Sequence, residues 1–197
     1  MRDDAKATRQ DQIEQAAYEV LEEKGFGGTS MLAIARRARA SNETLYNWYG
    51  DKTGLFRALV ARNAEEVKTL LAAQASGKDA MASLGAMGPV LLHMLTGPRA
   101  VALNRAAAAD PSGTLGRAIA AEGRNTVAPL ISGLLCLARE QGALRFDDAE
   151  EATDLYLGLL IGDLQIRRVS GHMPQPPAET LSRRSETALT RLQRLLG

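Results

Sequence analysis

The 197-residue chain has one cysteine, Cys136, and two histidines, His93 and His172. A single thiol excludes an internal disulfide framework and a thiolate metal cage, and it fits a reducing cytosol. Net charge is almost nil: 24 Lys plus Arg against 23 Asp plus Glu leave +1. That balance excludes bulk attraction to nucleic acid or to an anionic membrane, so any such binding needs a local patch. No uninterrupted apolar run approaches the roughly 18 residues of a membrane-spanning helix. The opening Met-Arg-Asp-Asp-Ala-Lys is charged, so no secretory leader and a cytoplasmic location are expected. Also missing are a Gly-x-x-x-x-Gly-Lys phosphate loop, a Gly-x-Ser-x-Gly elbow, a His-Glu-x-x-His zinc helix and a Gly-x-Gly-x-x-Gly turn. No catalytic residue, metal ligand or cofactor is expected. Cys136, among Leu134, Leu135 and Leu137, reads as a small buried hydrophobe, and His172, in a Gly/Pro-rich loop, as solvated.

Aromatics are scarce and uneven. Six of the eight fall within the first 56 positions: Tyr18, Phe26, Tyr46, Trp48, Tyr49 and Phe56. Only Phe146 and Tyr156 follow, while every proline lies at Pro89 or beyond. Ala and Leu dominate, and no apolar–polar alternation of period two is present, which removes the main strand signal. The expected fold is all-α, with about nine to ten helices. A compact N-terminal unit over 8–57 precedes a larger helical unit over 58–197.

Helical signals are dense at the start. Thr8 is placed to cap a first helix to about Lys24, with Ile13, Ala16, Ala17, Val20 and Leu21 as its inward stripe and Gly25 as its stop. Thr29 or Ser30 caps a short helix from Met31 to about Ala38. Ser41 caps another, Asn42 to Tyr49, with Leu45 and Tyr49 inward, and Gly50 ends it. Asp51 caps a fourth. Breaks at Ser76-Gly77, Gly97-Pro98, Asp110-Pro111, Gly142 and 171–177 divide the remainder into helices near 79–95, 99–109, 112–121, 124–141, 148–169 and 178–196. Pro129 is expected to kink the helix that holds it.

Two short helices joined by about three residues form a helix-turn-helix, whose second helix can enter a major groove. Inward Leu45 and Tyr49 leave Asn42, Glu43, Thr44, Tyr46, Asn47 and Trp48 outward or flanking. Asn can bond adenine bidentately, Thr can meet a thymine methyl, and Glu can accept from cytosine. Tyr46, Trp48 and Lys52 suit phosphates at the groove rim, and Thr29 and Ser30 open a helix N-terminus. Between Thr29 and Arg57, five positive residues (Arg36, Arg37, Arg39, Lys52, Arg57) stand against Glu43 and Asp51, a local +3. A solvated polar face is the plain alternative, but adjacent outward Tyr46 and Trp48 call for a partner.

The run Ile34-Ala35-x-x-Ala38-x-Ala40-Ser41-x-x-Thr44-Leu45-Tyr46-x-Trp48-Tyr49-x-x-Lys52-x-x-Leu55-Phe56 resembles the TetR family of bacterial transcriptional regulators, and the likeness covers roughly residues 8 to 60. The resemblance implies an α-helical homodimer with one helix-turn-helix per subunit and a C-terminal domain that binds an effector and dimerises. It implies that Asn42, Glu43, Thr44 and Asn47 face bases of a double-stranded operator, and that Thr29, Ser30, Tyr46, Trp48 and Lys52 face phosphates. One position departs: the turn has Arg39 where the family has glycine. A non-glycine residue at positive φ costs on the order of 1 kcal/mol. Either a phosphate contact by Arg39 offsets this, or the turn differs.

For the C-terminal part, Leu130, Leu134, Leu137 and Ala138 form one apolar stripe, and Leu155, Leu159, Gly162 and Ile166 another. Each is a candidate dimer face or simply core. Met81, Leu84, Met87, Leu91, His93 and Met94 are candidates for an effector pocket, with His93 its polar handle; plain core is the alternative. A ligand there would be aliphatic rather than flat. The expected function is a DNA-binding transcriptional regulator, a repressor released from a pseudo-palindromic operator by a small molecule. The alternative is an all-α small-molecule-binding or scaffolding protein whose helix-turn-helix no longer reads DNA.

Overall fold

The computed structural model describes residues 2–74 and 79–197, and all regular structure among them is helical. The break expected at Ser76-Gly77 lies outside the described residues. The chain divides into two compact units. One reaches to Arg62 and adds Ala102–Glu122; the other comprises Asn63–Val101 and Gly123–Gly197. The segment 102–122, assigned from sequence to the C-terminal part, therefore belongs with the N-terminal helices.

In the N-terminal unit, α1 (Arg2–Gly28) begins well before Thr8, which is an interior residue, because the preceding Lys6 and Ala7 sustain helix. Gly25, at φ 65° and ψ 175°, breaks the helix where a left-handed stop is expected. Short α2 (Met31–Arg37) follows, with Ser30 Oγ accepting from Ala33 N at 3.2 Å. Ser41 caps α3 (Asn42–Tyr49) by accepting from Thr44 N at 2.9 Å. Asp51 Oδ1 accepts from Gly54 N at 2.7 Å and opens α4 (Lys52–Gln74). These caps satisfy amide donors of the first turns that have no partner within the helix. The core joins Ile13, Ala17 and Val20 of α1, Met31 and Ile34 of α2, Leu45 of α3, and Leu55, Phe56 and Leu59 of α4. Leu103 and Ala106 of α6 (Pro98–Ala108) and Leu115 and Ala118 of α7 (Thr114–Ala118) complete it.

The other unit is built on α5 (Ala80–Thr96), α8 (Asn125–Glu140), α9 (Ala149–Ile161), α10 (Leu164–Val169) and α11 (Ala178–Leu196). The helix expected over 148–169 is two, because Gly162 at φ 51° ends α9. Pro129 sits inside α8 without ending it; the departure from α geometry lies upstream, in the π-helical Ile119–Arg124. Leu84, Leu92, Leu135, Tyr156 and Leu192 are fully buried, and the Tyr156 hydroxyl donates to Leu84 O at 3.2 Å. Gly88 lets α5 approach α11: a Cβ there would lie 2.0 Å from Ser185 Oγ. Among the described residues no single helix is long and apolar enough to cross a membrane.

Candidate DNA-binding surface

The α2–α3 junction is a Schellman motif. Ala40 N donates to Ala35 O at 2.9 Å and Arg39 N to Arg36 O at 3.2 Å, which closes the last turn of α2. The motif requires a left-handed residue just past the helix cap, and Arg39 supplies it at φ 51°. It is the one non-glycine residue of positive φ among those described. The turn therefore keeps the geometry that a glycine would permit.

This turn sets the outward face of α3. Leu45 is fully buried and anchors the helix. Asn42, Glu43 and Asn47 are exposed, Tyr46 is 50% exposed and Trp48 37%. Trp48 meets Tyr49 edge-on, with ring centroids 6.4 Å apart, and Lys6 Nζ lies 5.9 Å from the Trp48 ring. Lys6 lies in the turns of α1 that precede Thr8, ahead of the start that the capping signal suggests. Ser30 is exposed at the start of α2. Thr44 is half-buried, with its hydroxyl 2.7 Å from Ser41 Oγ, so that group is already engaged in the cap.

Two expected phosphate ligands are turned inward. Thr29 is only 4% exposed, and its hydroxyl donates to Gly25 O at 2.7 Å, closing the broken end of α1. Lys52 Nζ donates to Phe26 O at 2.8 Å and to Thr29 O at 3.1 Å, and sits 4.2 Å from the Phe26 ring centroid. A cation there binds the carbonyl-rich end of α1 and the ring face below it. Both residues build the helix-turn-helix rather than point away from it.

The basic patch is also redistributed. Arg37 pairs with Glu23 at 2.8 Å and Glu19 at 3.1 Å, and hydrogen bonds from Arg37 hold the Glu23 carboxyl below its ordinary range. Arg36, Arg39 and Arg57 are exposed. Glu14 of α1 is the buried member of a polar cluster that is otherwise partly exposed. Glu14, 4% exposed, accepts from Gln10 Nε2 at 3.0 Å and pairs with Arg62 at 3.1 Å, while Arg62 also binds Asp11. Burial pushes the Glu14 carboxyl above its ordinary value near 4.5. The Tyr49 hydroxyl is buried beside Glu14; burial first, and then the charge of Glu14, push its pKa up as well.

The candidate effector residues do not converge. Met87 is 2% exposed within the core, Met94 is half-buried against it, and His93 is exposed, with Nδ1 3.5 Å from Gln175 Nε2. His93 is thus neither core nor a pocket handle: on α5 the buried stripe runs Leu84, Met87, Gly88, Leu91 and Leu92, and residue 93 turns to the other side. Cys136 is half-buried rather than buried, and His172 is exposed.

A tight helix-turn-helix with a polar, ring-bearing second helix defines a DNA-binding transcriptional regulator. Residues 13–59 match the model of bacterial regulatory proteins of the tetR family, and residues 82–192 the AefR-like transcriptional repressor C-terminal domain. The chain belongs to the TetR family. A TetR transcriptional regulator from Agrobacterium tumefaciens is similar at 30% identity and TM-score 0.74, over 96% of this chain and 94% of that one. A TetR-family regulator from Mesorhizobium loti is 23% identical with TM-score 0.81, over 97% and 98%. The flavonoid-responsive regulator FrrA is 26% identical with TM-score 0.71, over 96% and 97%. No curated protein matches the chain.

Proposed function

We propose that the protein is a homodimeric repressor of a pseudo-palindromic operator, released by a small organic effector. Asn42, Glu43 and Asn47 read base edges, with Thr44 contributing its methyl, and Ser30, Tyr46 and Trp48 contact phosphates. The carrying observation is the outward face of α3: two large rings and three polar side chains stand in solvent around one buried leucine. Large exposed rings on a polar helix are costly unless a partner covers them. One reading head per near-neutral chain binds weakly, and a second copy one helical turn along the duplex supplies the missing affinity.

Of the two stripes considered for dimerisation, Leu134 and Ala138 are buried in their own unit. Leu130 and Leu137 of that stripe, like Leu155 and Leu159 of the other, are half-buried against the core, but the second stripe ends in solvent, with Ile166 63% exposed and Gly162 exposed. The second copy is assigned to this α9–α10 face. The effector binds in the second unit and favours a conformation with the wrong spacing of heads; it can release DNA only by as much as it prefers that state. FrrA is flavonoid-responsive by name. Here Tyr156 is locked in the core, and Phe146 is the only other Phe, Tyr or Trp of that unit, with the Arg139 guanidinium 4.9 Å from its centroid, so an aliphatic effector is the better fit.

Selection of bound sites from random duplexes tests the reading. An inverted repeat with half-sites about one turn apart is expected, with affinity falling steeply as salt rises. Ile166→Glu should yield monomers in analytical ultracentrifugation and lose operator binding while the chain stays folded. A wild-type chain that is monomeric at micromolar concentration, or selects no sequence, refutes the proposal and favours a small-molecule-binding or scaffolding protein.

A further inference from the structure

The left-handed Arg39 raises a question of support. Glycine is favoured at this place in a Schellman motif because a Cβ there crowds the following backbone. A side chain from elsewhere in the fold meets this turn. Arg9, half-buried on α1, donates from Nη1 to Ala38 O at 3.1 Å and from Nη2 to Arg39 O. Its Nη1 also donates to Gln12 Oε1 at 2.8 Å, which fixes the guanidinium on the α1 surface. Ala38 and Arg39 are the cap and post-cap residues of α2, so their carbonyls have no amide partner within that helix. One planar fork across two consecutive carbonyls suits arginine and not lysine, and its charge lies at the negative end of α2.

We propose that Arg9 is a positioning residue for DNA reading: its guanidinium, braced on α1, clamps the turn in the left-handed form that Arg39 does not favour by itself. The angle between α2 and α3 then depends on Arg9, although Arg9 touches no DNA. The affinity part of this inference rests on the function proposed above; the clamp itself rests on the turn alone.

The test uses the full chain as wild type, Arg9→Ala, Arg9→Lys, Arg39→Gly and the double variant Arg9→Ala/Arg39→Gly. Amide hydrogen exchange is followed at Arg39 and Ala40, with Leu92 and Ala188 of the other unit as internal references. A non-glycine residue released from its clamp should open about tenfold more often, so Arg9→Ala should speed exchange at Arg39 and Ala40 by about that factor and leave the references unchanged. Operator affinity should fall about five- to tenfold, with the slope of log affinity against log salt unchanged, because no phosphate contact is lost. Arg9→Lys should recover little. In the Arg39→Gly background the same Arg9→Ala change should matter less than about twofold in both measurements, since glycine adopts the turn unaided. Equal effects in the two backgrounds would overturn the clamp. So would normal exchange with a salt slope reduced by about 0.9, which marks a phosphate ligand. If the wild type selects no operator, the DNA reading fails separately, and the exchange ratio between backgrounds alone upholds or overturns the clamp.

Discussion

Replacing Lys52 with methionine separates two roles for one cation. Methionine retains an apolar stem over Phe26 and removes the ammonium. Two hydrogen bonds are lost, to Phe26 O at 2.8 Å and Thr29 O at 3.1 Å, together with a ring contact at 4.2 Å. Hydrogen bonds to a charged group contribute roughly 1.5–3 kcal/mol, and a cation–ring contact about 0.5–1 kcal/mol. One flexible side chain makes all three, and Lys52 is only half-buried, so the contributions do not add fully. A loss of about 2–3 kcal/mol in stability of the N-terminal unit is expected. It should appear in denaturant unfolding followed by Trp48 fluorescence, Trp48 being the only tryptophan and lying in that unit. Operator affinity, corrected for the folded fraction, should keep its salt dependence. If stability is unchanged while the salt slope falls by about 0.9, Lys52 holds a phosphate and its inward contacts are incidental.

A methyl at Gly54 would lie 1.9 Å from Tyr49 O, a backbone atom that cannot rotate away. Gly54→Ala should therefore destabilise the N-terminal unit by about 3 kcal/mol in the same assay, whereas Gly133→Ala, with nothing within 4 Å, should stabilise α8 by roughly 0.5–1 kcal/mol. Glu14 gives a pH signature. Its folded-state pKa is raised above about 4.5, so between those values the folded chain binds more protons, and its contribution to stability falls as pH rises through that window. Unfolding of wild type and Glu14→Gln from pH 4.5 to 7 should show the wild type losing stability relative to the variant as pH rises; a relative gain would contradict burial as the dominant influence.

The features read correctly from the sequence are those decided within a few residues. Ser30, Ser41 and Asp51 cap helices by bonding amides three positions on. Gly25 and Gly50 adopt the positive φ that only the lack of a Cβ makes cheap. At Arg39 the resemblance, not the local sequence, pointed to a position that favours glycine, and of the two outcomes it left open the structure shows the left-handed turn retained, at φ 51°. His93 was grouped with apolar neighbours in sequence, although a strict 84–87–88–91–92 stripe already puts it on the far side of the helix.

The misassigned residues share a different cause. Thr29 is an N-terminal hydroxyl in any local reading, yet its partner is a carbonyl made available by the break at Gly25. Lys52 finds its acceptors 26 and 23 residues earlier, and Arg9 finds Arg39 O 30 residues later. An apolar stripe shows that a helix buries one side but not against what: Leu103, Ala106, Leu115 and Ala118, expected in the C-terminal part, pack in one core with Ile13 and Phe56. The cations follow the same rule: long flexible side chains reach either water or a distant carbonyl, and sequence records only their charge. A local excess of +3 therefore overstates the charge offered to a duplex, since Lys52 is bound to backbone carbonyls and Arg37, although exposed, is paired with Glu19 and Glu23, whereas Arg36, Arg39 and Arg57 stand in solvent. On the proposed function, cationic attraction to phosphates is then a smaller share of binding than the composition of the segment suggests, and the side-chain contacts of α3 a larger one.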